Sequence, residues 1–193
     1  MSETIDNIRD VVQERSDQCK QAEGYDFWNE HIKLVVKNAL DLADKYNADR
    51  EIVELGALLH DIALVSRVGD RNEHNERGAE IAVKLLEEYN YPKDRTERVR
   101  KCVLHHRNSH NSTSVEETCV ADADILAHFD NIPMIFSSAF VRNQLKLEDK
   151  KQFIEYFEKD FYDLSETSQK EFRARYEVIM SVLFPDETIK EMK

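Results

Sequence analysis

The 193-residue sequence contains few of the residues that make tight turns, with only 4 Gly and 3 Pro. A β-sandwich or barrel needs many such turns, so this scarcity favours helices joined by short loops. The 3 cysteines are odd in number and form no Cys-x-x-Cys pair, which predicts reduced thiols in a cytoplasmic protein. No run of about 18 apolar residues occurs, and no basic, apolar leader opens the chain. We therefore expect neither a transmembrane helix nor a secretion signal.

Positive charge is in the minority, since 27 Lys and Arg stand against 39 Asp and Glu, for a net charge of −12. Most of such a surface repels anions, so we expect neither a nucleic-acid polymer nor a membrane as a partner. Hydrophobic residues make up 41% of the chain and charged residues 34%, which is typical of a globular protein with a packed core. Histidine is the unexplained component, because the chain has 7 and most of them lie between residues 31 and 110.

Apolar residues recur at helical spacing along the whole chain, which predicts a single all-α domain over residues 1–193. One predicted helix covers about 29–46. Asp49 is predicted to cap the next helix. The apolar residues of that helix extend around most of its circumference, so we expect it to be the central buried helix.

The last part of the chain, about residues 131–193, is predicted to form a helical extension. Two capping-box patterns occur there, one that begins at Asp149 and one that begins at Ser168. Several aromatic residues in the extension recur at helical spacing, and we expect them to pack in the core.

Side chains that can bind a metal ion lie in or at the ends of the helices that otherwise have the pattern of core helices. They are His31, His60, Asp61, His74, His105, His106 and Asp124. A buried carboxylate costs several kcal/mol unless it is paired or bound to a metal ion, and Asp61 and Asp124 both lie in apolar segments. Nitrogen and oxygen donors without thiolate suit Fe, Mn, Ni, Co or Zn. Neighbouring helical residues point about 100° apart, so Asp61 can share an ion with His60 or bridge to a second ion.

The order His31, His60-Asp61, Asp124 resembles the HD superfamily of metal-dependent phosphohydrolases. The matching segments span about residues 25–130 and are WNEHIKLVVKNALDLA, ELGALLHDIA, HNERGAEIAVKLL, VLHHR and VADADILA. The resemblance implies an HD-domain helical bundle in which His31, His60, Asp61 and Asp124 bind a first metal ion.

Relatives with two metal ions have further histidines at the positions that His74, His105 and His106 occupy here. The resemblance therefore implies one or two divalent transition metal ions and leaves open which member of the His105-His106 pair is a ligand. It also implies hydrolysis of a phosphoester, in a nucleotide or another small phosphorylated molecule, by a water whose pKa the metal lowers. Asp61 is the expected bridge between two ions.

Other residues are candidates for contacts with the substrate or the reacting water. Asp122 or a histidine that binds no metal is a candidate to accept or donate a proton. Arg107 is a candidate phosphate clamp with a part in catalysis. Arg67 and Arg71, in the loop between Asp61 and His74, are candidate substrate-binding residues. His128 shares a helix face with the last ligand, and we expect it to lie at the surface or behind the ligands.

Two other classes of function fit the same residues. HD-fold diiron oxygenases have a similar set of histidines and aspartates, and a metal-stabilised module could sense nucleotides without catalysis. The exposed charges of the extension are also compatible with a homodimer. Neither the substrate, nor the metal, nor the oligomeric state is determined by the sequence.

Overall fold

The structure, a computed structural model, describes residues 3–137, 139, 146 and 150–185. Its regular elements are helical and no strand occurs among these residues, which confirms the predicted all-α fold. The α-helices are α1 (Glu3–Glu23), α2 (Lys33–Tyr46), α3 (Arg50–Leu59), α4 (Ile62–Val65), α5 (His74–Glu88), α6 (Lys93–His105), α7 (Val115–Asp130), α8 (Ile132–Ser137), α9 (Lys150–Asp163) and α10 (Glu166–Leu183). None of the described helices is long and apolar enough to cross a membrane.

The helix predicted over about 29–46 is α-helical only in its second part. Residues Trp28–Ile32 form a π-helical turn that leads directly into α2, and the amide of Lys33 donates to the carbonyl of Trp28, five residues earlier. Such wide turns inside helices are frequent at functional sites. Here the wide turn carries His31.

Helix α3 is the central helix, as predicted. Its residues from Ile52 to Leu59 are all buried, and it packs against α1, α2, α6 and α7. Asp49 caps it, since its Oδ1 accepts from the amide of Ile52 at 3.4 Å, and Arg95 donates to both oxygens of the same carboxylate at 2.9 and 3.0 Å. The cap and this ion pair hold the N-terminus of α3 in place, and His60 follows the other end of the same helix.

Glycine is needed at position 56, where α3 touches α6 and α7. A Cβ added to Gly56 would lie 2.7 Å from Cys102 Cβ and 3.1 Å from Val120 Cγ2. Both distances are shorter than normal van der Waals contact. The lack of a side chain at Gly56 therefore allows α6 and α7 to pack closely against α3.

The helices that follow α7 pack on it through a second apolar cluster that contains Phe129, Phe157 and Phe172. Phe153, Phe157 and Phe161 of the aromatic stripe are therefore core, as predicted, whereas Tyr156 of the same stripe is exposed. The predicted cap at Ser168 is wrong, because Ser165 caps α10 and accepts from the amide of Ser168. Ser168 itself is buried in the first turn. Asp149, the other predicted cap, lies outside the described residues.

Candidate metal centre

Six of the predicted ligand side chains converge at one end of α3, and all six are buried. The interruption of the helix between α3 and α4 places two of them next to each other. The π-helical turn, the start of α5, the end of α6 and the middle of α7 supply the rest. They are His31, His60, Asp61, His74, His106 and Asp124.

The first group of three is His31, His60 and Asp124, whose donor atoms lie within 4.8 Å of one another. His31 Nε2 is 3.0 Å from His60 Nε2 and 3.0 Å from Asp124 Oδ1. His60 Nε2 is 3.7 Å from the same Asp124 oxygen. We call this group the first triplet.

The second triplet is Asp61, His74 and His106, whose donor atoms also lie within 4.8 Å of one another. His74 Nε2 is 3.0 Å from His106 Nε2, and it is 3.3 Å from Asp61 Oδ1. His106 Nε2 is 3.9 Å from Asp61 Oδ1. Of the two adjacent histidines at the end of α6, the structure thus brings His106 to the cluster.

The carboxylate of Asp61 lies between the two triplets. Its Oδ1 faces the second triplet, whereas its Oδ2 lies 3.6 Å from His31 Nε2 and 3.5 Å from His60 Nε2 of the first. One oxygen towards each group is the arrangement of a carboxylate that bridges two cations.

The histidine tautomers fit a cation at each triplet. His60, His74 and His106 each point Nδ1 at a backbone carbonyl three residues earlier. These carbonyls belong to Ala57 at 2.7 Å, Arg71 at 2.7 Å and Val103 at 2.6 Å. A carbonyl oxygen only accepts, so Nδ1 carries a proton in all three rings, and Nε2 presents a lone pair whenever the ring is neutral. His74 Nε2 and His106 Nε2 face each other 3.0 Å apart, and a cation shared between them would stabilise this close approach.

The carboxylates of the centre are ionised. Burial would raise the pKa of Asp61 and Asp124, but the surrounding imidazoles, led by His60 for Asp61 and His31 for Asp124, hold both values well below the usual range. Burial lowers the pKa of His60, but the two carboxylates outweigh it and raise the value to about 9. Burial lowers the pKa of His106 to about 4. The buried negative charge is the electrostatic complement of divalent cations.

The sequence profile of the HD domain matches residues 29–128, which contain all six of these side chains. This chain belongs to the HD domain family. The resemblance drawn from the sequence is therefore confirmed. No protein of curated function matches the chain.

Solved structures of similar fold include three with bacterial sources. A predicted HD superfamily hydrolase from an uncultured Thermotogales bacterium is 24% identical, with a TM-score of 0.61 over 97% of this chain and 92% of the other. An HD-superfamily hydrolase from Bacillus thuringiensis is 22% identical, with a TM-score of 0.65 over 98% and 97%. YpgQ from Bacillus subtilis, solved in complex with ADP, is 22% identical, with a TM-score of 0.62 over 94% and 98%. The chain thus has the fold of HD superfamily hydrolases, with two residue clusters suited to divalent metal ions.

Outside the triplets of this HD domain lies His105, the seventh predicted ligand. Its Nδ1 is 2.7 Å from Glu117 Oε2, and the side chain is partly exposed. Adjacent helical residues point about 100° apart, so the turn that aims His106 inward aims its neighbour towards α7. Glu117 is a partner that the sequence analysis did not identify.

Asp122 lies away from the metal centre, although it is only two residues from Asp124. Residues two apart on a helix point about 200° apart, so the two side chains leave α7 on opposite sides. Asp122 is completely buried and accepts from the hydroxyl groups of Ser109, Ser165 and Ser168 and from the amide of Ser165. These contacts join α7 to the start of α10, where the sequence analysis expected a proton-transfer group.

Two of the three candidate arginines make contacts elsewhere. Arg67 has a left-handed backbone conformation with φ of 56°, and its Nε lies 3.2 Å from Glu23 Oε1 of α1. Arg107 is exposed and donates to the backbone carbonyl of Asn72 at 2.9 Å, which ties the loop before α5 to the end of α6.

Arg71 lies nearer to the centre. Its carbonyl accepts from His74 Nδ1, so its backbone supports a side chain of the second triplet. Burial and the carboxylates of Asp160 and Asp124 raise the pKa of Tyr156 well above its ordinary value, whereas the guanidinium of Arg71 lowers it. The Arg71 side chain is exposed, and its charge acts on Tyr156 of α9.

The sequence analysis missed the contribution of α9. Asp160, which is buried, lies with its Oδ2 2.9 Å from His128 Nδ1, and Tyr156 Oη lies 3.3 Å from the same nitrogen. The available signal was that His128 follows Asp124 by four residues and so shares its helix face. Nothing in the sequence indicated its partners, which are about thirty residues away.

Proposed function

We propose that this chain is a metal-dependent phosphohydrolase that acts on a nucleotide or another small phosphoester. The observation that carries the proposal is the pair of triplets joined by Asp61, whose two oxygens face different groups. Divalent ions, when bound at such a centre, supply a water of lowered pKa and neutralise charge on phosphoryl oxygens.

The residues that would hold the ions are those whose donor atoms converge. His31, His60 and Asp124 would hold one ion, His74 and His106 the other, and Asp61 both. The backbone carbonyls that accept from Nδ1 of His60, His74 and His106 keep these three rings in place, so little of their side-chain freedom remains to be lost on binding. In this arrangement His106, rather than His105, is the proposed ligand.

Charge supports a phosphorylated substrate in spite of the acidic chain. Two divalent ions more than offset the carboxylates of Asp61 and Asp124, so the local potential at the centre would be positive. Arg71, whose backbone carbonyl accepts from His74 Nδ1, and Arg107, which donates to the loop before α5, are the cationic side chains proposed to contact phosphate. The contacts of Arg67 and Asp122 favour structural roles for these two residues.

The nucleotide bound in one structure of similar fold supports a nucleotide as the substrate. YpgQ, which shares the fold over 94% of this chain, was solved in complex with ADP. A nucleotide also provides the phosphoryl oxygens that two adjacent cations and an arginine bind well.

The test combines metal content with turnover. Elemental analysis of protein purified without added metal should find two ions per chain. The protein should then release phosphate, pyrophosphate or a nucleoside from at least one member of a panel of nucleotides and sugar phosphates. Asp61→Asn keeps the shape of the side chain but removes its charge, so it should lower both the metal content and the rate. Asp41→Asn, an exposed change in α2, should alter neither.

Two results would contradict the proposal. One is full metal content with no phosphoester cleaved under any metal tested. The other is oxygen consumption by the iron-loaded protein without phosphoester cleavage, which would favour the oxygenase alternative.

A further inference from the structure

His31 differs from the other histidines of the two triplets in how its ring is held. His60, His74 and His106 each point Nδ1 at a backbone carbonyl three residues earlier. Nδ1 of His31 is buried and has no hydrogen-bond partner among the residues that the structure describes. Because the hydrogen bond of the second ring nitrogen usually orients a metal-binding histidine, the His31 ring depends on its backbone for its position.

That backbone is the π-helical turn Trp28–Ile32, and the side chain of Asn131 contacts it directly before His31. Asn131 Nδ2 donates to the backbone carbonyl of Glu30 at 2.9 Å and to Glu30 Oε2 at 2.9 Å. Turns of this kind are rare and short, so a contact from outside the helix helps to keep this one in its conformation.

The amide group of Asn131 is itself held in one orientation. Its Oδ1 accepts from the backbone amide of Met134, in the first turn of α8, at 3.4 Å. The carbonyl of Glu30 only accepts, so the nitrogen of the Asn131 amide faces it. The backbone amide of Asn131 donates to the carbonyl of Ala127 at 3.1 Å and ends α7. Asn131 therefore joins the end of α7 to the π-helical turn.

Asn131 lies on the side of α7 that carries Asp124. Seven residues make almost two helical turns, so the two side chains leave the helix in nearly the same direction. Asp124 Oδ1 lies 3.0 Å from His31 Nε2. Helix α7 thus meets the turn twice, once at the ring of His31 and once at the backbone of the preceding residue.

The second triplet is held in a different way. The rings of His74 and His106 are oriented by carbonyls of Arg71 and Val103, which precede them by three residues in the same segment of chain. The helices that carry these two rings, α5 and α6, pack against each other. A looser π-helical turn should therefore disturb the first triplet and leave the second in place.

We propose that Asn131 is a positioning residue, which holds the π-helical turn so that His31 stays within reach of an ion at the first triplet. This inference rests on the proposed function for the assignment of one ion to each triplet. It predicts that loss of the contact between Asn131 and Glu30 weakens the binding of the first ion alone.

The experiment measures Mn²⁺ affinity from the electron paramagnetic resonance signal of free Mn²⁺, with each triplet isolated in turn. Asn131→Ala added to His106→Ala, which keeps the first triplet, should raise the Mn²⁺ Kd about 10-fold, at the lower end of the range for residues that orient ligands. Asn131→Ala added to His31→Ala, which keeps the second triplet, should leave the Kd unchanged within error. Asn131→Ala alone should weaken one of the two ions and spare the other.

Three further variants isolate the contact itself. Asn131→Asp keeps an oxygen for the amide of Met134 but turns an acceptor towards Glu30, so it should weaken the first ion at least as much as Asn131→Ala. Glu30→Gln keeps the backbone carbonyl and should stay close to the wild type. Asn38→Ala is the matched control, because Asn38 Nδ2 donates to Asp130 Oδ2 at 2.9 Å and so also joins α2 to the end of α7. It should change neither affinity.

The absorption spectrum of bound Co²⁺ separates positioning from a general loss of stability. The spectrum depends on the geometry of the ligands around the ion. In the His106→Ala protein, Asn131→Ala should therefore alter the visible bands of Co²⁺, whereas Asn38→Ala should not. The thermal midpoint of the metal-free protein should fall in both, since each removes a hydrogen bond at the end of α7.

Each outcome decides the inference. An unchanged Mn²⁺ Kd at the first triplet in Asn131→Ala, or equal weakening at both triplets, would overturn it and leave the proposed function intact. A wild type that binds no Mn²⁺ would overturn both. If Asn131→Ala weakens the first ion alone but the wild type cleaves no phosphoester, the proposed function fails and the inference stands.

Discussion

The buried carboxylate of Asp122 is predicted to stabilise the junction between α7 and α10 and to take no part in catalysis. It accepts four hydrogen bonds at 2.5–2.8 Å from three serines. The perturbation that tests this is Asp122→Ala, which removes the acceptor and leaves the serine donors buried without it. Asp122→Asn is the milder change, because it keeps the shape and one acceptor oxygen.

The expected loss follows from those four bonds. Hydrogen bonds to an ionised acceptor contribute about 1.5–3 kcal/mol each, so the four together amount to about 6–12 kcal/mol. Burial of the carboxylate costs several kcal/mol, and the mutation removes that cost as well. The net loss in Asp122→Ala should therefore be about 3–5 kcal/mol. Asp122→Asn should lose about 1–2 kcal/mol, since Oδ1 can keep the two bonds that it accepts.

The assay is urea unfolding followed by circular dichroism, on metal-free and metal-loaded protein. Asp41→Ala is the control, since its side chain is 69% exposed and pairs with Lys37 of the same helix. That change should stay within about 0.5 kcal/mol of the wild type. Metal content should be normal in both Asp122 variants. An Asp122→Ala protein with wild-type stability and metal content but no turnover would refute this reasoning and restore the catalytic role expected from the sequence.

The remaining predictions concern packing, metal content and pH. Gly56→Ala should lower the free energy of unfolding by about 1–3 kcal/mol, because the added methyl group overpacks the contact with α6 and α7. Helix propensity alone would raise this free energy by about 1 kcal/mol. An increase measured by urea unfolding would therefore contradict the close contact at Gly56. His106→Ala should lower the metal content by about one ion per chain, whereas His105→Ala should not, and equal losses would contradict the assignment. Asp49→Asn should cost about 1 kcal/mol at pH 7. Arg95 outweighs burial and holds the pKa of Asp49 below 3.8, so the difference from the wild type should shrink as the pH falls below that value, and a difference independent of pH would count against the ion pair.

The helical fold and the order of the ligands could be predicted from the sequence, because both depend on local patterns. Apolar periodicity and the Asp49 cap define α3 without knowledge of its neighbours. The end of α3 at His60 follows from the same pattern. The π-helical turn at His31 could not be predicted, since no residue type specifies it and its backbone bonds depend on how α2 packs.

To predict which way neighbouring polar side chains point, one must know how the helix runs as well as how far apart the residues are in sequence. Asp122 and Asp124 point about 200° apart, so one of them had to lie away from the centre once α7 was known to be continuous. His105 and His106 present a harder case, because about 100° separates them and either could face inward. Only the packing of α6 on α3 and α5 decides between them.

The role of the extension depends on contacts that no local pattern contains. Helix α7 presents three faces, and each carries one polar residue with a different partner. Asp124 belongs to the first triplet and contacts His31, His128 contacts Asp160 of α9, and Asp122 accepts from the serines at the start of α10. Asp122 and His128, which contact the extension, lie on either side of Asp124 along α7. Displacement of the extension would therefore remove the partners of His128 and Asp122, whereas the side chains that face Asp124 lie outside the extension, so the loss should fall on the stability of this junction more than on the binding of metal.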